Sequence, residues 1–521
     1  MIADAPPLTL TNALAAACAQ WPERTALTSR HGAISYGALT LSARRLAVAY
    51  GVLGIATGDR VVCSVSNRPE LVIALAAAWE RGAVHVGAEY QLTAPELIRI
   101  VQLTGARALV YEPAPGADAR ATVGDIRAAC PALAVVLVGD GPAVEGCRRF
   151  AHLVAGDGEA VEDCAPAPDD AALVFISSGT TGVPKATVGF HGNLSERWRR
   201  LGSWLGFGPG DVHLVQLPLS HGFGLMMAVA GLLGGGRLVL MERFAVEDAL
   251  AAIDRERVTV LNGAPTHFRL LLDRLDPERH SVESLRLSVG TAAAFPAPVV
   301  REIWDRLGVR FMFMYGSSEG IGFATTDPDD ILLGSVGRPQ AGSVRVVDER
   351  RRPLAVGETG ELAFSRRVFP VRYWGDGDGA ADEWFYSGDR GRLDGDGRLY
   401  IYGRLKHQID RGGLKVDPVE VEAALLDSPR VVDAAVIGRP DPVLGEVISA
   451  CVVPTGEEPR MRLGELREVM GRALAPHKLP DELHTLDAIP RTPLGKVDLA
   501  RLRTRVDTVP HLVERRRRAT R

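Results

Sequence analysis

The sequence predicts an α/β fold in which helices cover sheets of mainly parallel strands. Two observations support this prediction. Short apolar runs alternate with Ala/Leu-rich helical patterns along the first part of the chain, as in parallel sheets connected by helices. From about Gly334 the pattern changes to short strands separated by Gly/Asp turns, which indicates a β-rich region.

The predicted elements follow in chain order. The run 61–65 is typical of a buried strand, and a helix is predicted over 69–80. Further strands are predicted at 107–111, 133–138, 171–176, 238–241 and 258–261, with one helix before the strand at 133–138 and another between the last two strands. The stretch 112–167 has the most loop-like sequence. Two Asp-Gly pairs between alternating apolar residues predict a hairpin over 391–402.

Composition excludes several classes of protein. With 521 residues, 46% of them apolar, two or three structural units are expected. The formal net charge of −4 argues against a general nucleic-acid-binding protein. Neither a signal peptide nor a membrane-spanning segment is expected. The six cysteines form no Cys-x-x-Cys pair, so a reducing, cytoplasmic location fits better than a zinc site or a disulfide framework.

An anion-binding loop is predicted directly after the apolar run 171–176. Glycines let the backbone approach a ligand, consecutive N–H groups cradle anions, and a lysine adds positive charge, which together suit the polyphosphate of ATP. Pro184 stands directly before the lysine, so this is not a Walker loop, and a plain surface loop is the alternative. The candidate residues are Ser177, Ser178, Gly179, Thr180, Thr181, Gly182 and Lys185.

This loop resembles the phosphate loop of the adenylate-forming superfamily, which contains acyl-CoA synthetases, nonribosomal peptide adenylation domains and firefly luciferase. Six further segments resemble the motifs of that family, in order: 218–224, 315–319, 357–362, 386–389, 403–422 and 490–496. The motif style is most similar to that of aryl- and acyl-CoA ligases. Ala186 and His407 stand where the family commonly has glycine and aspartate.

The resemblance implies an architecture and a reaction. A large N-terminal domain, 1–404, would bind ATP and the acid, and a small mobile α/β domain, 405–521, would swing against it about Lys406. ATP and an acid would give an acyl adenylate and pyrophosphate, and a thiol such as that of CoA would then take the acyl group. Arg411, Gly412 and Gly413 would line the tunnel for the CoA arm.

The resemblance also implies roles in adenylation. Lys496 would bridge the carboxylate of the acid and the α-phosphate, and Glu319 would bind Mg²⁺. Asp389 would accept hydrogen bonds from the ribose hydroxyls, and Arg404 would contact ribose or phosphate. The nucleotide segments would further include Ala292, Ala293, Ala294, Tyr315, Gly316, Ser317 and Ser318. Outside this resemblance, the same residues would be ordinary turn, packing or surface residues.

The identity of the acid is constrained by the segment 218–230, which contains no carboxylate. An unpaired ammonium there would be costly, so α-amino acids are disfavoured and a benzoate- or cinnamate-like acid is favoured. His221 would lie beside the carboxylate or the thiol path, or would be a core histidine with a local hydrogen bond. Met226, Met227, Met312 and Met314 would line an apolar pocket or the plain core.

Three hypotheses remain at this point. The first is an ATP-dependent aryl- or acyl-CoA synthetase. The second is a stand-alone adenylating enzyme that passes its acid to a carrier protein or an amine, and this hypothesis includes unusual acids such as nitrous acid. The third is a non-catalytic nucleotide-binding relative, against which the set Lys185, Glu319, Asp389, Arg404 and Lys496 argues.

Overall fold

The computed structural model describes residues 8–156, 165–177, 185–291, 295, 297–317, 319–375, 382–455, 461–492, 495–508 and 513–515. These residues form a mixed α/β structure with a large N-terminal domain and a smaller C-terminal one, as predicted. Its strands are β1 Thr25–Ser29, β2 Gly32–Ser35, β3 Arg60–Ser64, β4 Val84–Ala88, β5 Ala108–Tyr111, β6 Ala134–Leu137, β7 Arg148–Arg149, β8 Ala171–Ser177, β9 Lys185–Phe190, β10 Val212–Val215, β11 Arg237–Leu240, β12 Val260–Gly263, β13 Leu287–Gly290, β14 Arg310–Gly316, β15 Gly322–Thr325, β16 Val344–Val347, β17 Gly360–Ser365, β18 Trp384–Leu393, β19 Leu399–Arg404, β20 Ile409–Arg411, β21 Leu414–Val416, β22 Val431–Asp441, β23 Gly445–Pro454, β24 Glu482–Thr485 and β25 Val513–Arg515.

The helices pack on both faces of the larger sheets. They are α1 Leu10–Gln20, α2 Tyr36–Val52, α3 Pro69–Glu80, α4 Ala94–Thr104, α5 Ala119–Ala129, α6 Phe150–Ala155, α7 His191–Trp204, α8 Gly222–Leu233, α9 Val246–Glu256, α10 Pro265–Arg274, α11 Ala297–Leu307, α12 Pro328–Leu332, α13 Pro418–Leu426, α14 Leu463–Met470 and α15 Leu499–Thr508. Within the described ranges, no helix combines the length and the apolar character needed to cross a bilayer.

Two sheets dominate the N-terminal domain. One has the strand order β7-β6-β5-β3-β4-β8-β9, and the other has the order β15-β14-β13-β12-β10-β11-β1-β2. Their central strands are parallel, whereas β9, β15 and β2 pair antiparallel at the edges. Helices α3 and α8 are apolar on nearly every side, so they can be buried in the core that both sheets share.

The predicted elements are confirmed with small shifts at their ends. The strand runs correspond to β3, β5, β6, β8, β11 and β12, and the helix over 69–80 is α3. Within the loop-like stretch 112–167, α5 is the helix predicted before the strand at 133–138, whereas α6 was not predicted. Helix α5 forms because Asp118 caps its N-terminus and Val123 and Ile126 fall on one buried face.

The β-rich region is a four-stranded antiparallel sheet with the order β16-β17-β18-β19. The predicted hairpin over 391–402 connects its last two strands. The Asp394 carboxylate accepts hydrogen bonds from the N–H groups of Asp396 and Arg398, which closes the turn. This hairpin carries two of the candidate site residues, Asp389 and Arg404, as register partners on neighbouring strands.

The C-terminal sheet contains β20 to β25 and packs against α13, whose Glu422 is half-buried. The N–H of Val436 donates to Glu422 Oε1 at 2.9 Å. Burial raises the pKa of Glu422 to about 7, although this hydrogen bond and Arg491 oppose the shift. The folded state therefore binds more protons at this group than the unfolded chain does between the ordinary carboxyl pKa and pH 7.

We expect Glu422→Gln to stabilise the protein above neutral pH. The contribution of Glu422 to stability is fully present below its ordinary pKa and is lost as pH rises towards 7, because the native pKa is the higher one. Glutamine keeps the oxygen that accepts from Val436 and carries no charge. Thermal unfolding between about pH 5 and 8 should show a shallower decline for the variant than for the wild type. Glu420→Gln, at an exposed position on the same helix, is the control, and equal pH slopes in wild type and Glu422→Gln would contradict the prediction.

Candidate active site

Three elements converge on Asp389. Strand β18 places it opposite Arg404 of β19, whose Nε lies 2.7 Å from Asp389 Oδ1. The hydroxyl of Tyr315, at the end of β14, donates to Asp389 Oδ2. Arg404 also donates from Nη1 to the carbonyl of Ser387 at 2.9 Å. The hairpin and the strand end thus fix one carboxylate between a cation and a phenol.

The Asp389 side chain is buried, with 4% of its surface exposed. Desolvation raises its pKa, and Arg404 and the Tyr315 hydrogen bond work against that rise. The pKa of Tyr315 is also raised, first by burial and then by the Asp389 charge, so the phenol stays a donor. A buried carboxylate that is held in one orientation is suited to accept hydrogen bonds from the hydroxyl groups of a ligand.

Tyr373 connects two candidate residues that are distant in sequence. Its hydroxyl donates to Glu319 Oε1 at 3.1 Å, and Lys185 Nζ lies 5.3 Å from the centre of its ring. The segment around Tyr373 pairs with β9, where the Trp374 N–H donates to the Ala186 carbonyl at 2.7 Å. A lysine and a carboxylate therefore flank one aromatic side chain. Sequence reasoning missed Tyr373, which belongs to none of the motifs.

Lys496 of the C-terminal domain reaches this same group. Desolvation, and then the positive charge of Arg404, lowers the pKa of Lys496, whereas Asp389 and Glu319 partly offset the effect. Lys496 remains exposed to solvent, although neighbouring protein groups partly desolvate it. The structure thus brings together Lys496, Arg404, Asp389 and Glu319, which the sequence scatters over 178 positions.

The loop that carries Lys496 is braced on both sides. The N–H of Thr492 donates to the Lys496 carbonyl at 2.7 Å, and the N–H of Gly495 donates to the Thr492 carbonyl at 2.8 Å. Arg491 donates to the Gly495 carbonyl at 2.7 Å and forms an ion pair with Asp433 at 2.5 Å. The turn is therefore built by its own backbone and tied to β22.

Gly495 contacts the N-terminal domain where α10 begins. A Cβ atom added there would lie 2.9 Å from Ala264 Cβ and 2.9 Å from His267 Cε1. Burial, followed by the charge of Arg491, lowers the pKa of His267 to about 4, so its ring is neutral. Its Nδ1 accepts from the Ala264 N–H at 3.2 Å. This contact holds Lys496 over the cleft.

His221 lies at a different part of the cleft, just before α8. Its Nε2 is 3.0 Å from Glu89 Oε1, directly after β4, and none of the contacts described for it reaches Lys496. The place of His221 beside the carboxylate or the thiol path stays a prediction.

Asn67 positions the segment that leads to His221. Its amide Nδ2 donates to the carbonyls of Val215 and Leu217 at 3.2 and 3.0 Å, and its Oδ1 accepts from the Leu219 N–H at 3.0 Å. The side chain of Asn67, which follows β3, therefore holds the segment after β10, a strand of the other large sheet. Its place at the carboxyl end of a parallel strand was a signal available in the sequence.

We expect Asn67→Ala to destabilise the protein by about 2–3 kcal/mol, because buried carbonyl and N–H groups lose their partners. The freed 215–219 segment should also raise KM for the acid more than KM for ATP. Thermal unfolding and steady-state kinetics measure the two effects. Asn193→Ala, on partly exposed α7, serves as the matched control, and equal unfolding of both variants would contradict this role.

Several of the predicted residues are not among those that the structure describes. Ser178, Gly179, Thr180, Thr181, Gly182, Ala292, Ala293, Ala294 and Ser318 lie outside the described residues, as does the side chain of Ser177. Gly316 ends β14, and the Ser317 N–H donates to the Ile321 carbonyl at 2.9 Å, which closes the turn around Glu319.

The predicted tunnel residues form a hairpin within the C-terminal sheet. Arg411 forms a bidentate ion pair with Asp481 at 2.7 Å, and Gly412 and Gly413 make the turn. In the part of the chain that the structure describes, the hydrogen bonds of this turn stay within the C-terminal domain. None of them reaches Lys496, Asp389 or Glu319. Lys406 lies in a short 3₁₀ turn, Leu405–His407, between β19 and β20.

Comparison with known proteins agrees with this arrangement. Residues 14–374 match the AMP-binding enzyme family, and residues 420–496 match the AMP-binding enzyme C-terminal domain. The chain belongs to the AMP-binding enzyme family. It is an ATP-dependent acid ligase of that adenylate-forming superfamily, as the motifs predicted.

Two relatives and one structure illustrate the range of this family. The chain is 34% identical to a 2-hydroxy-7-methoxy-5-methyl-1-naphthoate–CoA ligase of Streptomyces carzinostaticus, over 94% of this chain and 92% of the relative. It is 31% identical to 2,3-dihydroxybenzoate-AMP ligase of Bacillus subtilis (strain 168), over 93% and 91%. The crystal structure of the anthranilate CoA ligase AuaEII with anthranoyl-AMP superimposes with a TM-score of 0.88 at 26% identity, covering 98% and 99% of the two chains. The α/β fold and the acid-ligase class predicted from the motifs are thereby confirmed.

Proposed function

We propose that this AMP-binding enzyme adenylates an aryl or other small carboxylic acid and transfers the acyl group to the thiol of CoA. The observation that carries the proposal is the meeting of Lys496 with Arg404, Asp389 and Glu319 in one cleft. The similarity to ligases whose names specify naphthoate, dihydroxybenzoate and anthranilate supports an aromatic acid.

In the first step, a carboxylate oxygen of the acid attacks the α-phosphorus of ATP. The bond from that phosphorus to the bridging oxygen breaks, and pyrophosphate leaves with the electron pair. Charge accumulates on the α-phosphate oxygens, and a cation fixed beside them stabilises the transition state. Lys496 takes that role, because hydrogen bonds position its turn and its charge interacts with Arg404, Asp389 and Glu319.

The other residues orient the nucleotide. Asp389 accepts from the ribose hydroxyls, with Tyr315 and Arg404 holding its orientation. Lys185 contributes positive charge beside Tyr373 for the β- and γ-phosphates. The remaining nucleotide residues of the motifs, among them Thr180, Thr181 and Ala292, stay part of this proposal.

The residues of the cleft fit a Mg²⁺ ion that would be held jointly by a protein carboxylate and the phosphate oxygens of ATP. The structure provides one carboxylate, Glu319, fixed by Tyr373 and paired with no lysine or arginine of the described ranges, and those ranges contain no cluster of three metal-binding side chains. A single carboxylate combined with phosphate oxygens is typical of Mg²⁺. When bound, Mg²⁺ offsets the negative charge of the phosphates.

In the second step, the thiol sulfur attacks the acyl carbonyl carbon, AMP leaves with the electron pair of the broken C–O bond, and the thiol proton goes to solvent. We propose that the domains meet between Arg404 and Leu405 and that Lys406 is the hinge. The small domain would then bring Arg411, Gly412 and Gly413 to the cleft, with His221 near the thiol path. The short turn Leu405–His407, between the last strand of one sheet and the first of another, supports this division.

The test measures pyrophosphate release with ATP and Mg²⁺ over benzoates, cinnamates, fatty acids, amino acids and nitrite, each with and without CoA. The expected result is release with aryl acids and a thioester when CoA is present. Release without any thioester would indicate that a carrier protein or an amine is the acceptor. Each of these can then be added to the assay in place of CoA. Absence of release with every acid would refute adenylation of these classes.

A further inference from the structure

Arg197 lies beside a partly buried apolar cluster. Helix α7 places it one turn before Leu201, so both side chains leave the helix on the same side. Leu201 packs into a cluster that includes Phe223, Met226 and Met314. This cluster joins α7, α8 and β14 beside the cleft, and its partly buried side chains form an apolar surface.

The guanidinium of Arg197 points to the turn that follows Glu319. A Cβ atom added at Gly320 would lie 3.2 Å from Arg197 Nη1, and one added at Gly322 would lie 3.6 Å from Nη2. Met314 Cε lies 3.5 Å from the same position at Gly322. The charged group is therefore set between the apolar cluster and the turn of the active site.

The charge of Arg197 has no partner among the described residues, in which it forms neither an ion pair nor a side-chain hydrogen bond. Desolvation lowers its pKa, and no neighbouring charge contributes to that shift. By contrast, the exposed Arg286 pairs with Asp211, and the half-buried Arg404 pairs with Asp389. Enclosing a cation without a partner is costly, so the site favours an anionic ligand.

We propose that Arg197 binds a second acidic group of the substrate, so that the activated acid carries an anionic substituent on an apolar body. The inference rests on the proposed function and specifies its substrate class. A planar guanidinium can hold a carboxylate through two parallel hydrogen bonds, and the apolar cluster would take the rest of the molecule. The reacting carboxylate would lie at the other end, towards Lys496.

The test compares diacids with their monomethyl esters, which keep the shape and lose one charge. The aromatic series is the three benzenedicarboxylates, and the aliphatic series runs from succinate to adipate. Pyrophosphate release should favour one diacid over its ester by about tenfold or more in kcat/KM. Arg197→Met should remove that preference, whereas Arg197→Lys should keep part of it. Arg199→Met, exposed on the same helix, is the control and should keep all of it.

Each outcome decides the proposal. A preference for esters or for unsubstituted acids in the wild type would overturn it while leaving adenylation intact, and so would a diacid preference that survives Arg197→Met. A loss of ATP affinity in Arg197→Met that is equal for every acid would assign the arginine to phosphate and overturn it as well. If no acid in either series is turned over, calorimetric binding of diacid and monoester to the wild type decides, and equal binding refutes the role of Arg197.

Discussion

Lys496→Ala is expected to lower acid-dependent pyrophosphate release by about 100-fold or more, because the variant loses the cation that faces the reacting phosphate. ATP binding should change little, since Asp389, Arg404 and Lys185 remain. The lowered pKa of Lys496 adds a pH signature. Adenylation should decline on the alkaline side at a lower pH than an ordinary lysine would give, because deprotonation removes the charge. Lys496→Arg should lose this decline, since arginine stays charged.

Pyrophosphate release and equilibrium ATP binding, measured on the same preparations, separate the two effects. Lys478→Ala is the matched control, because Lys478 lies in the same domain and pairs with Glu420 near the surface, where such pairs contribute little. Pyrophosphate release unchanged in Lys496→Ala would remove the lysine from the chemistry. Equal loss of ATP binding and turnover would instead make it a nucleotide-binding residue.

The elements and the motif residues were predictable because local signals define them. The apolar runs at β3 and β8 and the mainly apolar helix α3 can be recognised from short-range patterns. Asp389 and Lys496 were found because each stands within a recognisable motif.

The contacts that assemble the site were not predictable. Tyr373 lies in a segment without a motif, and its role arises from pairing with β9 far away in the sequence. Arg197 is one of several arginines on α7, and only the packing of that helix distinguishes it from exposed Arg199. Helix α6 was missed because it is only six residues long, too short for its periodicity to stand out from the surrounding loop-like sequence.

Gly495→Ala is the second substitution for which we expect a large effect, about 10- to 100-fold on pyrophosphate release. The residue has φ +78°, a conformation that costs an L-residue about 1 kcal/mol or more. The larger cause is steric, because the new methyl group would lie 2.9 Å from Ala264 Cβ and from His267 Cε1. The turn would have to withdraw from α10, and Lys496 would move with it.

A control variant separates the backbone strain at Gly495 from its steric contact with α10. Gly54 has φ +78° as well, and an added Cβ there meets nothing within 4 Å, so Gly54→Ala carries the backbone cost alone. If Gly495→Ala matched Gly54→Ala in pyrophosphate release, the contact with α10 would not position Lys496. Adding Ala264→Gly to Gly495→Ala frees one side of the contact and should restore part of the activity, a coupling that a double-mutant cycle measures.

The same variant also tests the proposed movement of the small domain. If the domain turns away from α10 for thiol transfer, the crowded contact at Gly495 matters in the first step and not in the second. Gly495→Ala should then convert a supplied acyl adenylate and CoA to thioester at close to the wild-type rate, although it makes the adenylate slowly. Equal losses in both steps would mean that one docked arrangement serves the whole reaction, because the domain would then keep its contact with α10 throughout.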